Sequence, residues 1–102
     1  LLIVDMLDCI ATIESILSSI TLEAALASRL HRDAILRNLE VLGEAANQIP
    51  KDIQQLEPGI PWGPMVSLRN RLIHEYHGIR WELLVPVIAE RLPDLSQALQ
   101  GL

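Results

Sequence analysis

Apolar residues recur at helical spacing along almost the whole chain, and this pattern constrains the fold more than any other feature. In the first segment Ile3, Met6, Ile10, Ile13 and Leu17 follow one another at steps of three or four residues, which places side chains on one face of an α-helix. Half of the 102 residues are hydrophobic, yet only 3% are aromatic. A core of Leu, Ile, Val and Ala with so few rings favours packed helices over a sheet.

Cap and breaker residues divide the chain into separate helices. Thr21 can cap a short second helix, Pro50 ends the third, and Gly78 ends the fourth, whereas Pro86 and Pro93 are expected to bend or break the last. The predicted helices cover about residues 3–20, 22–28, 30–48, 51–56, 61–78 and 81–100. We therefore predict an all-α fold in which residues 1–102 form a single domain, a helical bundle of four long helices plus short helices.

The apolar content exceeds what a small bundle needs for its own core. The last helix alone is predicted to turn five leucine and isoleucine side chains inward, namely Leu84, Ile88, Leu92, Leu95 and Leu99. Such a surplus favours a second subunit that covers one face, and a symmetric homodimer is the usual arrangement. The alternative is that the extra apolar residues are scattered singly over the surface.

Charge and cysteine content indicate the setting in which the chain works. A net charge of −5 argues against broad nonspecific binding of nucleic acid. The basic residues are nevertheless clustered, with Arg69, Arg71 and Arg80 close together and opposed only by Glu75. The single cysteine, Cys9, lies on an apolar helix face and is predicted to be a buried, inert thiol. The sequence has no apolar run of membrane-spanning length and no basic start typical of a signal peptide, so we expect a cytoplasmic protein.

One octet, residues 69–76, contains most of the residues in the sequence that suggest a catalytic site. It places Arg69, Asn70, Arg71, His74 and Tyr76 within about two helical turns. Arginine binds phosphate as a fixed cation, and histidine exchanges protons near neutral pH. An imidazole that moves protons and a guanidinium that stabilises charge on phosphorus can cleave a phosphodiester without a metal.

The spacing within the octet does not by itself bring the two groups together. A residue advances about 100° around a helix, so Arg69 lies roughly 140° from His74, whereas Asn70 shares the histidine's face. The two could converge if the helix loosens near Glu75, if the long arginine side chain curls, or across a two-fold axis. We favour the two-fold axis, because it also uses the predicted dimer.

Simpler interpretations of these residues stay open. His74 could be a packing residue, an arginine one turn away from Glu75 or Glu44 could form a salt bridge, and Tyr76 could fill the end of a helix. A metal site is not predicted, because His31 and His77 lack a third ligand at suitable spacing. Glu40 and Glu44 share a helical face, but a solvated or arginine-paired face is expected there. No cofactor is indicated, since the chain has no glycine-rich phosphate loop.

The octet resembles the Arg-x4-His-x-Tyr motif of the HepT-like branch of the HEPN superfamily. Here the motif consists of Arg69, His74 and Tyr76, with Asn70 in the polar position that follows the arginine. The resemblance extends over nearly the whole chain. It includes the flanking segments 37–40, 43–45, 60–62, 77–79 and 92–95.

This resemblance implies a metal-independent endoribonuclease toxin of a type II toxin–antitoxin system, folded as an all-helical homodimer with its motifs at the dimer cleft. It implies that Arg69 and His74 are catalytic and that Asn70 supports them. It also implies a minimal nucleotidyltransferase (MNT-type) antitoxin as partner, which would neutralise the toxin by adding AMP to Tyr76. Arg71 and His77 lie outside the motif, so their expected contact with RNA rests on position alone.

Two other functions compete with the ribonuclease. One is a noncatalytic helical dimer that binds a nucleotide or a nucleotidyltransferase, with the octet serving contact only. The other is a purely structural helical adaptor. Cleavage of RNA in the presence of a chelator separates the enzyme from both.

Overall fold

The helices expected from the sequence are present in a computed structural model of the protein, which describes residues 1–74, 78 and 80–102. Four of its helices are long and two are short, and the described part contains no strand. None of the helices in that part is long and apolar enough to cross a membrane. The predicted all-α fold is confirmed, with helices α1 (Leu2–Ser19), α2 (Leu22–Ala27), α3 (Arg29–Gln48), α4 (Lys51–Leu56), α5 (Trp62–His74) and α6 (Trp81–Gln100).

Polar caps set the boundaries at the start of the bundle. The Thr21 hydroxyl accepts a hydrogen bond from the Ala24 amide at 3.2 Å and begins α2. The Ser28 hydroxyl accepts one from the His31 amide at 3.5 Å, so Ser28 caps α3 rather than ending α2. These caps satisfy amide groups that the first turn of a helix leaves without partners. As a result α2 ends one residue earlier, and α3 begins one residue earlier, than predicted.

The two prolines in α6 do not break it. The helix runs without interruption from Trp81 to Gln100 and includes Pro86 and Pro93. Each proline removes one backbone hydrogen bond of the helix. Each also follows directly after a deeply buried side chain, Val85 in one case and Leu92 in the other, both 2% exposed. Burial of these neighbours favours a continuous helix. Of the two predicted effects, a bend or a break, the break was wrong.

The inward face of α6 differs from the predicted one. The buried positions of α6 are Val85, Leu92 and Leu99, which lie seven residues apart. Leu84, Ile88 and Leu95 are only partly buried. Within the described residues α6 packs mainly against α1 and α2, so the side of α6 that faces α5 stays open.

An apolar groove of about 720 Å³ lies between α5 and α6, with α3 at its floor. We call it the α5–α6 groove. Aliphatic side chains form most of its wall, and arginines stand at its edge. Its lining includes Leu68, Arg71, Leu84, Ile88, Arg91 and Leu95.

Cys9 belongs to the core of α1, as the apolar spacing predicted. The thiol is buried, and this burial raises its pKa; the nearby carboxylates Asp5 and Asp8 raise it further, against a smaller opposing effect of Arg37. A thiol with a raised pKa stays protonated at neutral pH and is a poor nucleophile. Cys9 is therefore a packing residue.

Candidate active site

The candidate site lies on the last two turns of α5, and buried residues fix the rotation of that helix. Trp62, Met65 and Leu72 are buried. The indole Nε1 of Trp62 also donates hydrogen bonds to the carbonyl oxygens of Gln54 and Glu57, each at 3.2 Å. These contacts anchor the start of α5 to the end of α4. The face that carries the motif is thus fixed relative to the core.

Arg69 occupies a position on the buried stripe of α5. It lies four residues after Met65 and three residues before Leu72, the spacing of one helical face. Its side chain is only 26% exposed. The arginine of the motif therefore projects toward α3 rather than toward bulk solvent.

Gly43 of α3 makes room for this arginine. A Cβ atom added to Gly43 would stand 2.5 Å from Arg69 Cβ and 2.8 Å from the carbonyl oxygen of Met65. Both distances are too short for nonbonded atoms, so only glycine allows α3 and α5 to cross this closely. The crossing places the stem of Arg69 directly against the backbone of α3.

The guanidinium of Arg69 has two polar partners. Its Nη2 lies 2.5 Å from Oε2 of Glu44, and its Nη1 donates a hydrogen bond to Oδ1 of Asn70 at 2.7 Å. Its Nε is buried and has no hydrogen-bond partner in the described structure. Glu44 is in turn bound from the next turn of α3, where Gln48 Nε2 donates to Oε1 at 3.2 Å. The sequence left open a salt bridge between Glu44 and an arginine, and the structure identifies that arginine as Arg69.

His74 is the last described residue of α5 and is exposed. Because Arg69 faces α3, the two motif side chains point in different directions within one chain, as the helical angle predicts. The ion pair with Glu44 also opposes one of the three alternatives, in which the arginine side chain curls toward the histidine. Loosening of the helix near Glu75 lies outside the described residues, as do the predicted roles of Tyr76 and His77.

Asn70 and Arg71, the two other candidates on α5, lie on its exposed side. Asn70 contacts Arg69 through the hydrogen bond given above, which agrees with a supporting position. Arg71 lines the α5–α6 groove.

The glutamates of α3 are paired with arginines, as predicted. Glu40 lies 3.4 Å from Arg37 Nη1, and Glu44 binds Arg69. Among the residues that the structure describes, no group of three His, Cys, Asp or Glu side chains is arranged to hold a metal ion.

Sequence reasoning missed how closely α3 takes part in this site. Gln48 was not singled out, Gly43 was noted only within the segment that carries the family resemblance, and no residue of α3 was connected with Arg69. One signal was available: the spacing of Trp62, Met65, Arg69 and Leu72 places the arginine on the buried face of α5. A charged residue on such a face needs a partner of opposite charge on the neighbouring helix.

Comparison with protein families identifies the class to which this helical domain belongs. A family model described as "Ribonuclease HepT-like" matches residues 6–102, which is nearly the whole chain. The protein is therefore a member of a class of helical ribonucleases. Within that class it belongs to the HepT-like family, and the resemblance inferred from the motif and its flanks is confirmed.

Individual relatives agree with this assignment. A protein of Thermococcus cleftensis named "Probable ribonuclease HepT" is 36% identical over 92 residues, which cover 90% of this chain and 84% of the relative. Two proteins of Methanocaldococcus jannaschii have RNase in their names. The first is 32% identical over a region that covers 88% of this chain and 74% of the relative. The second is 38% identical over a region that covers 72% of this chain and 67% of the relative. No solved structure matches the chain.

Proposed function

We propose that this protein is a metal-independent endoribonuclease toxin of a type II toxin–antitoxin system, acting in the cytoplasm as a homodimer. The observation that carries the proposal is the exposure and pairing of the motif side chains on α5. His74 is exposed, whereas Arg69 is half-buried and held by Glu44 and Asn70. An accessible imidazole and a fixed guanidinium, brought together across a two-fold axis, suit cleavage of a phosphodiester in a chain of the HepT-like family.

The mechanism uses the 2′-hydroxyl of RNA as the nucleophile. His74 of one subunit accepts the proton of this hydroxyl, and a bond forms between O2′ and phosphorus. Arg69 stabilises the negative charge of the five-coordinate intermediate. The bond from phosphorus to O5′ then breaks, and His74 of the second subunit, in its imidazolium form, protonates the leaving oxygen. The products are a 2′,3′-cyclic phosphate and a 5′-hydroxyl, and Arg71 and His77 would contact the flanking phosphates.

Cleavage of labelled RNA in EDTA tests this mechanism. The protein should cut the RNA at an unchanged rate in the chelator, because no step uses a metal. A substrate with a single 2′-deoxy sugar at the cleaved nucleotide should resist cleavage there, because the nucleophile is missing. Cutting that stops in EDTA, or that proceeds at the 2′-deoxy position, contradicts the mechanism. A purified dimer that binds RNA without cutting it favours the noncatalytic alternative.

The surface around the α5–α6 groove supports the proposed homodimer. Two large apolar side chains lie exposed on α6, with Leu83 at 62% and Val87 at 52% exposure. Val87 lines the groove, and so does Arg71 of α5, which lies three residues before His74. A second subunit seated on this face would therefore lie near the histidine. Apolar patches of this kind are typical of subunit interfaces.

A charge placed on this face should therefore dissociate the dimer. We expect the unmodified protein to elute as a dimer in sizing chromatography at micromolar concentration. Val87→Glu should elute as a monomer and lose RNA cleavage, because a buried unpaired carboxylate is strongly unfavourable. Leu30→Glu is the matched control, since Leu30 is 78% exposed and does not line the groove. A monomeric unmodified protein, or a Val87→Glu variant that remains a dimer, would contradict this interface.

The proposed antitoxin is a minimal nucleotidyltransferase that adds AMP to Tyr76. The tyrosine follows His74 by two residues. An adenylate there would add bulk and negative charge close to the proposed catalytic histidine, and both would repel RNA.

A further inference from the structure

We infer that Glu44 of α3 is a positioning residue for RNA cleavage, acting through its ion pair with Arg69. The inference rests on the proposed function, because it requires Arg69 to bind the phosphate at which cleavage occurs. It adds to the motif a residue that lies on another helix, 25 positions earlier in the chain.

The surroundings of Arg69 restrict its side chain at both ends. At the stem, the backbone of α3 at Gly43 lies in close contact with the Cβ and Cγ atoms. At the tip, Glu44 Oε2 and Asn70 Oδ1 hold one terminal nitrogen each. An arginine side chain has many rotamers in solution, and fixing it is costly unless specific partners hold it. Here both partners are supplied by the chain itself.

This arrangement leaves the guanidinium able to bind a phosphate. The group has five N–H donors in a fixed fork. Each terminal nitrogen carries two N–H groups and contacts one oxygen, Asn70 Oδ1 or Glu44 Oε2, while Nε is buried against the protein. Two parallel N–H groups are the donor set that binds phosphate oxygens in bidentate fashion. The glutamate thus sets the direction in which the remaining donors point.

Charge makes Glu44 the more important of the two partners. A half-buried guanidinium without a nearby anion is unfavourable and would turn toward water. Asn70 is neutral and lies on the exposed side of α5, so it cannot offset that charge. Glu44 is itself steadied by the hydrogen bond from Gln48. The chain of contacts therefore runs from Gln48 through Glu44 to Arg69.

Substitutions at Glu44 test the inference through the kinetics of RNA cleavage. Glu44→Ala should lower kcat by about 10- to 100-fold, as expected for a misplaced catalytic group, with KM changed less than about threefold because most RNA contacts persist. Glu44→Gln keeps an oxygen acceptor in the same place but not the charge, so it should recover only part of the activity lost in Glu44→Ala. Glu40→Ala is the matched control, since Glu40 lies one turn earlier on α3 and pairs with Arg37. It should cleave RNA at the unmodified rate.

A spectroscopic measurement tests whether Glu44 positions Arg69, and it does not depend on RNA cleavage. The buried Nε–Hε group of Arg69 should give a distinct NMR signal that exchanges slowly with water, assigned by its absence in Arg69→Lys. Glu44→Ala should shift this signal and speed its exchange, whereas Glu40→Ala should leave it unchanged. A merely structural role of Glu44 would lower the thermal midpoint without moving this signal selectively.

The outcomes separate this inference from the proposed function. Full cleavage by Glu44→Ala, in a preparation whose cleavage depends on His74, overturns the inference and leaves the function standing. Faster cleavage by Glu44→Ala also overturns it, because Glu44 would then compete with phosphate for the arginine. Absence of cleavage by the unmodified protein refutes the function instead. In that case an unchanged Arg69 signal in Glu44→Ala rejects the positioning role, and a changed signal supports it.

Discussion

Replacing His74 by alanine should abolish RNA cleavage and leave the fold intact. His74 is exposed at the end of α5 and belongs to no ion pair or hydrogen bond in the described part of the chain. Its side chain therefore contributes little to stability. Removal of a general acid or base lowers a rate by about 10²- to 10⁴-fold. Because the substitution removes both copies in the dimer, we expect a loss of at least about 10³-fold.

The measurement is single-turnover cleavage of labelled RNA in EDTA, with circular dichroism and thermal unfolding of each variant. His31→Ala is the control for loss of a histidine elsewhere, since His31 lies at the start of α3 and contacts Ser28. It should cleave RNA at the unmodified rate. Cleavage retained in His74→Ala would show that another residue, or a contaminating nuclease, performs the reaction.

Mixed dimers provide a stricter form of the same test. If one His74 acts as base and the other as acid in a shared cleft, a dimer with one alanine copy should be inactive. Activity should then fall with the square of the fraction of unmodified chain when the two chains are refolded together. A linear decrease would indicate that each subunit cleaves RNA by itself.

Local chemistry explains why the helix boundaries could be predicted from the sequence. Thr21 and Pro50 act within one turn of the chain, so their effects are visible without tertiary contacts. The bounds of α4 agree with the prediction, and α3 differs by one residue. Pro86 and Pro93 show the limit of this reasoning. The burial of Val85 and Leu92, which keeps α6 continuous, depends on helices that are distant in sequence.

The candidate site also depends on contacts between residues that are distant in sequence. The sequence identifies Arg69 and His74 as a pair of suitable chemistry, and the angle around one helix predicts that they diverge. It does not show that α3 crosses α5 at Gly43, because that contact joins residues 26 positions apart. The ion pair between Arg69 and Glu44 was therefore not predicted, and the crossing of α3 and α5 accounts for it.

Substituting Gly43 by alanine should destabilise the protein, although alanine is the better helix former. In a helix interior alanine gains about 1 kcal/mol over glycine. Here its methyl group would meet Arg69 Cβ at 2.5 Å and the Met65 carbonyl oxygen at 2.8 Å, and backbone at that distance cannot move aside. Forced separation of packed elements costs roughly 1–3 kcal/mol. We therefore expect a net loss in the free energy of unfolding.

Gly63→Ala is the matched control for this substitution, because no atom lies within 4 Å of a Cβ added there. Gly63 lies in the first turn of α5, so this variant should be as stable as the unmodified protein or more so, by up to about 1 kcal/mol. Urea unfolding followed by circular dichroism compares the two. Since the added methyl also displaces the stem of Arg69, Gly43→Ala should lose RNA cleavage at temperatures where it is still folded. A Gly43→Ala variant with full stability and activity would mean that α3 and α5 do not cross this closely, and the ion pair between Glu44 and Arg69 would then lack its geometric basis.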